Sequence, residues 1–440
     1  MMDAPEQGAL RRSRTGWLML AGLGVSYVIG GDFSAWNFGL ARAGWGGMVI
    51  AVLLAALIWV ALILTLAELS SMLPDAGGGA LFAHRAFGPL AGRLTGYAIM
   101  IEYGAAASVV AIFIDAYFKS LTGLGGWAII ILTFVIPTAI HLRGAKEAIG
   151  TVFALTSVAA AGIIVFGIAM APHFSVRNLF DMAAGSGGSV LLPYGWLGIW
   201  AAMPFATAFF LAVEGIAMAA EEVEDPRKIL PRAMIAAVAI LLGLAIILLL
   251  AGPGGAGVSS LVGQNDPLPA ALHAVGIGGP VMWVVSIAAL VGLGACMFSA
   301  IYAFSRQAFA LARSGWLPAS LARTDSRQVP VRAILIPALV AMIIAMTGEA
   351  EGVFVAMVFA AMISYVFMAA AHIRLRRSEP EHERPFRTPG GIIVSGLALL
   401  SSLVLLLACI IANPLWSFAT GIAMAALVFL SGFRAGDRAA

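Results

Sequence analysis

Of the 440 residues, 61% are apolar and only 11% are charged, against about 25% charged in ordinary soluble domains. That balance excludes a soluble globular protein and points to helices that cross a membrane. The net charge of +3 is scattered between apolar runs, so nucleic acid is not implied; Cys296 and Cys409 both lie in apolar runs, so neither a disulfide framework nor a metal cluster is implied.

The polar start through residue 16 leads into an apolar run over 17–42, about 39 Å long as a helix, and no cleavable signal peptide is expected. Ile29-Gly30-Gly31-Asp32-Phe33 interrupts this run. Adjacent glycines weaken the helix at its middle, and a carboxylate follows them. A charge at that depth costs about 2.5 to 3.5 kcal/mol, so Asp32 should face protein or water, and it reads as a cation site. The plain alternative is an acid satisfied by neighbouring backbone donors.

Further apolar runs follow at 46–73, 93–118, 126–142, 147–171, 196–220, 233–252, 280–305, 331–348, 353–373, 391–412 and 414–433. The pattern predicts an all-α polytopic membrane protein with about twelve transmembrane helices. Pro74 and Gly77-Gly78-Gly79 punctuate the exit of the second run, and Pro226 and Pro231 end the sixth. External loops are expected over 172–193 and 252–279, and internal basic ones over 317–331 and 378–391. No loop is long enough for a separate soluble domain. Of the 25 lysines and arginines, only Arg42, Lys119 and Arg177 fall on the outer side. The basic bias therefore predicts that the tails 1–16 and 434–440 are both cytoplasmic, in a multi-pass protein of the plasma (inner) membrane.

Three carboxylates lie well inside apolar runs: Asp32, Glu102 and Glu214. Glu214 stands in Phe209-Phe210-Leu211-Ala212-Val213-Glu214-Gly215, a second expected interruption. Broken segments at corresponding places in two halves are a sequence pointer to a transporter site. No basic residue sits at the same depth, so these acids are protonated, bridged by water or available to a cationic ligand. Glu68 and Asp115, near the ends of their runs, are expected to be structural, Glu68 through a loop arginine. Aromatic residues nearby, Phe33, Trp36, Tyr103, Phe209, Phe210 and Tyr302, offer cation–π contacts or plain packing.

Three stretches carry a family resemblance. Ala67-Glu68-Leu69-Ser70-Ser71-Met72-Leu73-Pro74 with Ala76-Gly77-Gly78 and Ala86-Phe87-Gly88-Pro89-Leu90-Ala91-Gly92 resembles a signature of the amino acid–polyamine–organocation (APC) transporter superfamily. The run from Ala219 to Arg232, and Ser305-Arg306 with Ala310 to Pro318, resemble its sixth- and eighth-helix signatures. Tyr27 to Phe33 with Trp36 to Leu40, Ile101-Glu102-Tyr103 and Phe209 to Ala220 are most similar to the ethanolamine permease branch. The resemblance implies a leucine-transporter-type fold: a ten-helix core over 17–375, built as a 5+5 inverted repeat of about 17–171 and 196–375, with helices 1 and 6 broken and two additional helices over 391–433. It also implies a central substrate site at Ile29, Gly30, Gly31, Asp32 and Phe33 and at Phe209, Phe210, Ala212 and Glu214, lined by Glu102 and Tyr103 of the third helix and Ser299 and Tyr302 of the eighth.

Two departures carry chemical content. Amino acid permeases usually read Gly-Ser-Gly-Ile-Phe at the first break, where bare N–H groups receive the substrate carboxylate; Asp32 stands at that isoleucine. An anion there should repel a carboxylate. Glu214 falls on the acid of a Gly-x-Glu motif whose glycine is Ala212, which leaves open how far helix 6 unwinds. The expected function is import of a small cationic amine such as ethanolamine by alternating access, with Asp32 on the ammonium, Glu102 as a second acceptor, and Glu214 or Glu102 as the gating or coupling group. The open alternatives are an amino acid or polyamine exchanger and a membrane amine sensor. A monovalent cation gains about 2.3 kcal/mol per 100 mV on crossing inward, so the membrane potential alone sustains uptake, and possible proton coupling is a further route. Sodium at Thr156, Ser157 and Ser299 is a weaker one, because helix hydroxyls usually bond their own backbone. No nucleophile–base pair, metal-ligand spacing or phosphate loop suggests an enzyme. No cofactor, metal or obligate protein partner is expected.

Overall fold

The computed structural model describes residues 16–73, 78–143, 148–185, 188–222 and 225–436. Pro74, Ala76 and Gly77, Lys146, Val223 and Glu224, the arginines of the N-terminal tail and Arg438 lie outside the described residues.

The described residues form fourteen α-helices and no strand. They are α1 (Trp17–Phe33), α2 (Trp36–Met72), α3 (Gly78–Phe87), α4 (Pro89–Thr122), α5 (Trp127–Leu142), α6 (Ala148–Met170) and α7 (Gly195–Ala206). After these come α8 (Pro226–Ala256), α9 (Pro267–Ala274), α10 (Gly279–Arg313), α11 (Val331–Ala345), α12 (Ala350–Ser378), α13 (Ile392–Ala412) and α14 (Pro414–Gly436). Among the described residues, nine helical stretches are long and apolar enough to cross a membrane; α1, α5 and α11 are apolar but shorter. The expected runs overlap these stretches, the first being divided between α1 and the start of α2. The boundary between the first two runs survives as a kink inside α2 at Gly44, whose φ of 67° leaves the helical region.

Two expectations about boundaries are corrected. Pro226 opens α8 rather than closing the sixth span, where its missing N–H would have had no helical partner, and Pro231 lies inside α8. The segment 252–279, read as a loop, holds the short helix α9.

The centre is formed by the most buried helices, not the most apolar ones. α1 packs on α6, α8 and α10, α2 on α7, and α4 on α10 and α12. Large apolar side chains face outward as well, among them Leu57, Ile168, Leu197, Ile393 and Ile422. Every helix satisfies its own backbone, so such a surface is stable against hydrocarbon.

Polar locks sit toward the ends. Glu68 is fully buried, and its carboxylate accepts two 2.8 Å hydrogen bonds from Arg376 and one of 2.7 Å from Thr388 N–H. Arg384, from the α12–α13 loop, stands 3.2 Å away. A loop arginine was expected there, and Arg376 of α12 joins it. Asp115 accepts from the N–H of Gly126 at the start of α5, a structural role as expected.

Candidate functional site

Helix 1 is broken, but not at its glycines. Gly30, Gly31 and Asp32 are all helical, and the chain leaves the helix after Phe33. Ser34 is extended, Ala35 takes a φ of 74°, and α2 starts at Trp36. The glycines answer to packing. A Cβ on Gly31 would fall on the carbonyl oxygen of Ala208, and one on Gly30 would lie 2.9 Å from Cys296 Sγ. The backbones of α1 and of the chain after α7 therefore meet directly at this depth. The freed carbonyls at the break find donors: Tyr117 Oη donates to Phe33 O at 2.7 Å, and Trp36 Nε1 to Asp32 O at 3.0 Å.

Helix 6 breaks opposite. α7 stops at Ala206, a 3₁₀ turn covers Thr207–Phe209, and Ala212 adopts a φ of 76°. The chain continues as 3₁₀ rather than α helix over Val213–Glu222. The substitution of the motif's glycine thus leaves the unwinding intact and places a Cβ in the left-handed region. Among the described residues only three non-glycines have positive φ. Two of them, Ala35 and Ala212, mark the two breaks, and such strain concentrates at functional sites.

Glu102 and Glu214 are brought together, their carboxyl groups meeting side chain to side chain. Glu102 is fully buried, and neither of its oxygens closes a hydrogen bond of normal geometry. Three tyrosines surround the pair. Tyr365 directs its hydroxyl at Glu214, and Tyr103 packs at 5.9 Å between ring centres on Tyr27. Gly215 is small because Tyr103 Oη and the Tyr27 ring would stand 2.9 Å and 2.8 Å from a Cβ there. Asp32 keeps apart from this pair. Its carboxylate is fully buried, with neither oxygen hydrogen-bonded, and its neighbours include Cys296.

Two cavities of about 20 Å³ flank the breaks. One lies over Gly30 and Gly31 and is lined by Val109, Val110, Cys296 and Met357. The other touches Tyr103 and Glu214 on one side and Ser70, Gly79 and Met368 on the other. Each holds about one water, so neither admits a substrate unless the broken segments move.

The remaining sequence candidates distribute as follows. Ile29 is buried in α1, and Phe33 meets Tyr117 edge-on. Phe209 stacks on Trp36 at 6.0 Å, and Phe210 packs on Trp59 at 6.1 Å. Ser299 Oγ lies 3.0 Å from Ser26 Oγ, which also bonds Leu23 O. Tyr302 belongs to another cluster, under the Arg306 guanidinium at 4.9 Å and beside His141. Thr156 is buried, whereas Ser157 is exposed and bonds Phe153 O. Residue-by-residue reading passed over Tyr365 and Cys296. A lone tyrosine and a lone cysteine in apolar runs give no sequence signal; only the approach of α12 and α10 makes them neighbours of the acids.

Paired helix breaks facing each other inside an apolar helical bundle, with buried acids beside them, define a membrane transporter. The chain belongs to the amino acid permease family, whose model matches residues 16–433. It is 26% identical to the branched-chain amino acid permease BcaP of Bacillus subtilis, over 88% of this chain and 85% of that protein. Against the methylthioribose transporter of the same organism it is 29% identical, over 83% and 82%. The aromatic amino acid transport protein AroP of Escherichia coli is 27% identical, over 78% and 77%. These relatives are transporters, not enzymes.

Proposed function

We propose that the protein imports a small organic amine, ethanolamine being the model substrate, by alternating access of the helices around the two breaks. The observation that carries this reading is the Asp32 carboxylate, fully buried at the end of α1 with neither oxygen hydrogen-bonded. A buried carboxylate without a partner is costly, and an ammonium group offers it three donors. The same charge disfavours a substrate carboxylate at this break, which separates ethanolamine from serine. In this reading both tails are cytoplasmic in the plasma membrane, and the repeats 17–171 and 196–375 rock against each other.

A second reading has its own support. The cavity over Gly30 and Gly31 is walled by Val109, Val110, Phe113 and Phe354, and two relatives carry branched-chain and aromatic amino acids. In that reading an apolar amino acid side chain occupies the cavity. Thermal stability with ethanolamine, serine, leucine and putrescine separates the two, because a ligand at about 100 times its dissociation constant stabilises by about 2.7 kcal/mol. A shift with ethanolamine alone, lost in Asp32→Asn, supports the amine. A shift with leucine, or full ethanolamine uptake by Asp32→Asn, overturns it.

A further inference from the structure

The segment that joins α10 to α11 carries charge that its surroundings leave uncompensated. Its apolar residues fold back onto the helices: Leu321 is buried with Ala312 of α10 and Ala333 of α11, and Phe309, Leu317 and Ala322 pack against them. An arginine follows or precedes three members of this cluster in sequence, Arg313 beside Ala312, Arg323 beside Ala322 and Arg332 beside Ala333, and all three are exposed. The cluster thus roots three guanidinium groups around one corner, and Arg327 is exposed on the same loop. The one acid between Arg313 and Arg332 is Asp325. It is taken up by the loop itself, accepting from the N–H groups of Arg327 and Val329 at 2.9 and 2.8 Å. Arg85 and Arg227 are by contrast paired with Glu379 and Glu383. Arg313 meets the ring of Phe309, and none of the four arginines of the corner has an acidic partner among the described residues.

A second observation is the apolar stripe that leads up to this corner. Arg332, Leu335, Ile336, Leu339 and Ile343 recur at the spacing of one helical face, and the four apolar residues are between 44% and 59% exposed. An outward apolar stripe that ends in an arginine sets the cation where acyl chains give way to head groups. We infer that the corner made by the α10–α11 loop and the start of α11 binds an anionic phospholipid. Its phosphate lies among Arg313, Arg323 and Arg332, and an acyl chain follows Leu335, Leu339 and Ile343. Guanidinium groups suit a phosphate because their paired N–H donors match two of its oxygens. A free phosphate would use the arginines and leave the stripe bare. A zwitterionic lipid would use the stripe and bring a cation of its own to the arginines. An anionic lipid uses both.

The test titrates the purified full-length protein in detergent with dioleoyl phosphatidylglycerol and with dioleoyl phosphatidylcholine, and reads each bound lipid by native mass spectrometry. The expected result is tighter binding of phosphatidylglycerol, weakened by added salt. In Arg323→Gln/Arg332→Gln that binding should weaken about thirtyfold, the loss of about 1 kcal/mol for each of two basic groups. Arg85→Gln/Arg227→Gln removes the same charge from arginines that already have acidic partners, and it should change the binding by no more than about twofold. Glycerol phosphate at the lipid's concentration should not displace it, because the stripe then goes uncovered. Equal binding of the two lipids by the unsubstituted protein overturns the inference whether or not either variant folds. So does an equal loss in both double variants, which would make net charge the cause, or displacement by glycerol phosphate, which would make the site one for free phosphate. The measurement uses no amine, so failure of ethanolamine to bind leaves its result untouched.

Discussion

Two Glu–Arg pairs on the same end of the molecule differ in burial and in the number of their partners, and they should differ severalfold in what they contribute. Glu68 is fully buried, bonded at 2.8 Å by both Nε and a terminal nitrogen of Arg376, with Arg384 at 3.2 Å and His372 at 3.1 Å. The Arg384 side chain is 5% exposed, so it cannot turn to water when its partner is neutralised. Glu68→Gln keeps the shape and removes the charge, and leaving a buried cation uncompensated costs about 3 to 5 kcal/mol. Arg376, 23% exposed, relaxes partly into solvent, which places the expectation at about 3 kcal/mol. The comparison pair is Arg85 and Glu379, also bidentate at 3.1 and 2.9 Å but 41% and 27% exposed. Glu379→Gln should cost about 0.2 to 1 kcal/mol. Arg85 holds the Glu379 carboxyl below its usual range by hydrogen bonding, so that small contribution is present at neutral pH and is lost as acid protonates Glu379. Reversible unfolding in mixed micelles measures both. High salt should erase the Glu379 effect and spare the Glu68 effect, because screening reaches only the exposed pair. Equal costs for the two substitutions, or a Glu68 effect removed by salt, would refute the reasoning.

The helix breaks supply two further expectations. Gly31→Ala drives a methyl group onto the Ala208 carbonyl, and overpacking of that kind costs about 1 to 3 kcal/mol; its melting temperature should fall and its uptake should be lost, and a variant as stable and active as the parent would show that the two breaks do not touch. Ala212→Gly removes a Cβ from a φ of 76°, a relief of about 1 to 2 kcal/mol partly offset by glycine's chain entropy. It should unfold later than the parent by a few tenths to about 1 kcal/mol, whereas Ala206→Gly at the end of α7 should unfold earlier; the reverse order would place the strain elsewhere.

The helical class, the positions of the apolar helices and the burial of Asp32 and Glu102 were legible in the sequence. They follow from local quantities: apolar run length, the cost of charge in hydrocarbon, and a resemblance written in short contiguous stretches. The fate of Glu68 was legible for the same reason, since an acid at the end of an apolar run needs a basic neighbour and the loops beside it are rich in arginine. What tertiary structure alone decided concerns pairs of distant residues. Gly30 and Gly31 read as a helix break because glycine is a poor helix former, yet they remain helical, because the backbone of Ala208 requires the space beside them. The stretch 209–215 read as an interruption without a residue to carry it; Ala212, buried between segments that pack on α1, takes a conformation its own side chain opposes. The three acids read alike in the sequence. Folding joins Glu102 to Glu214 and leaves Asp32 separate, since which face of each helix meets which neighbour depends on how whole helices pack and not on the residues flanking each acid.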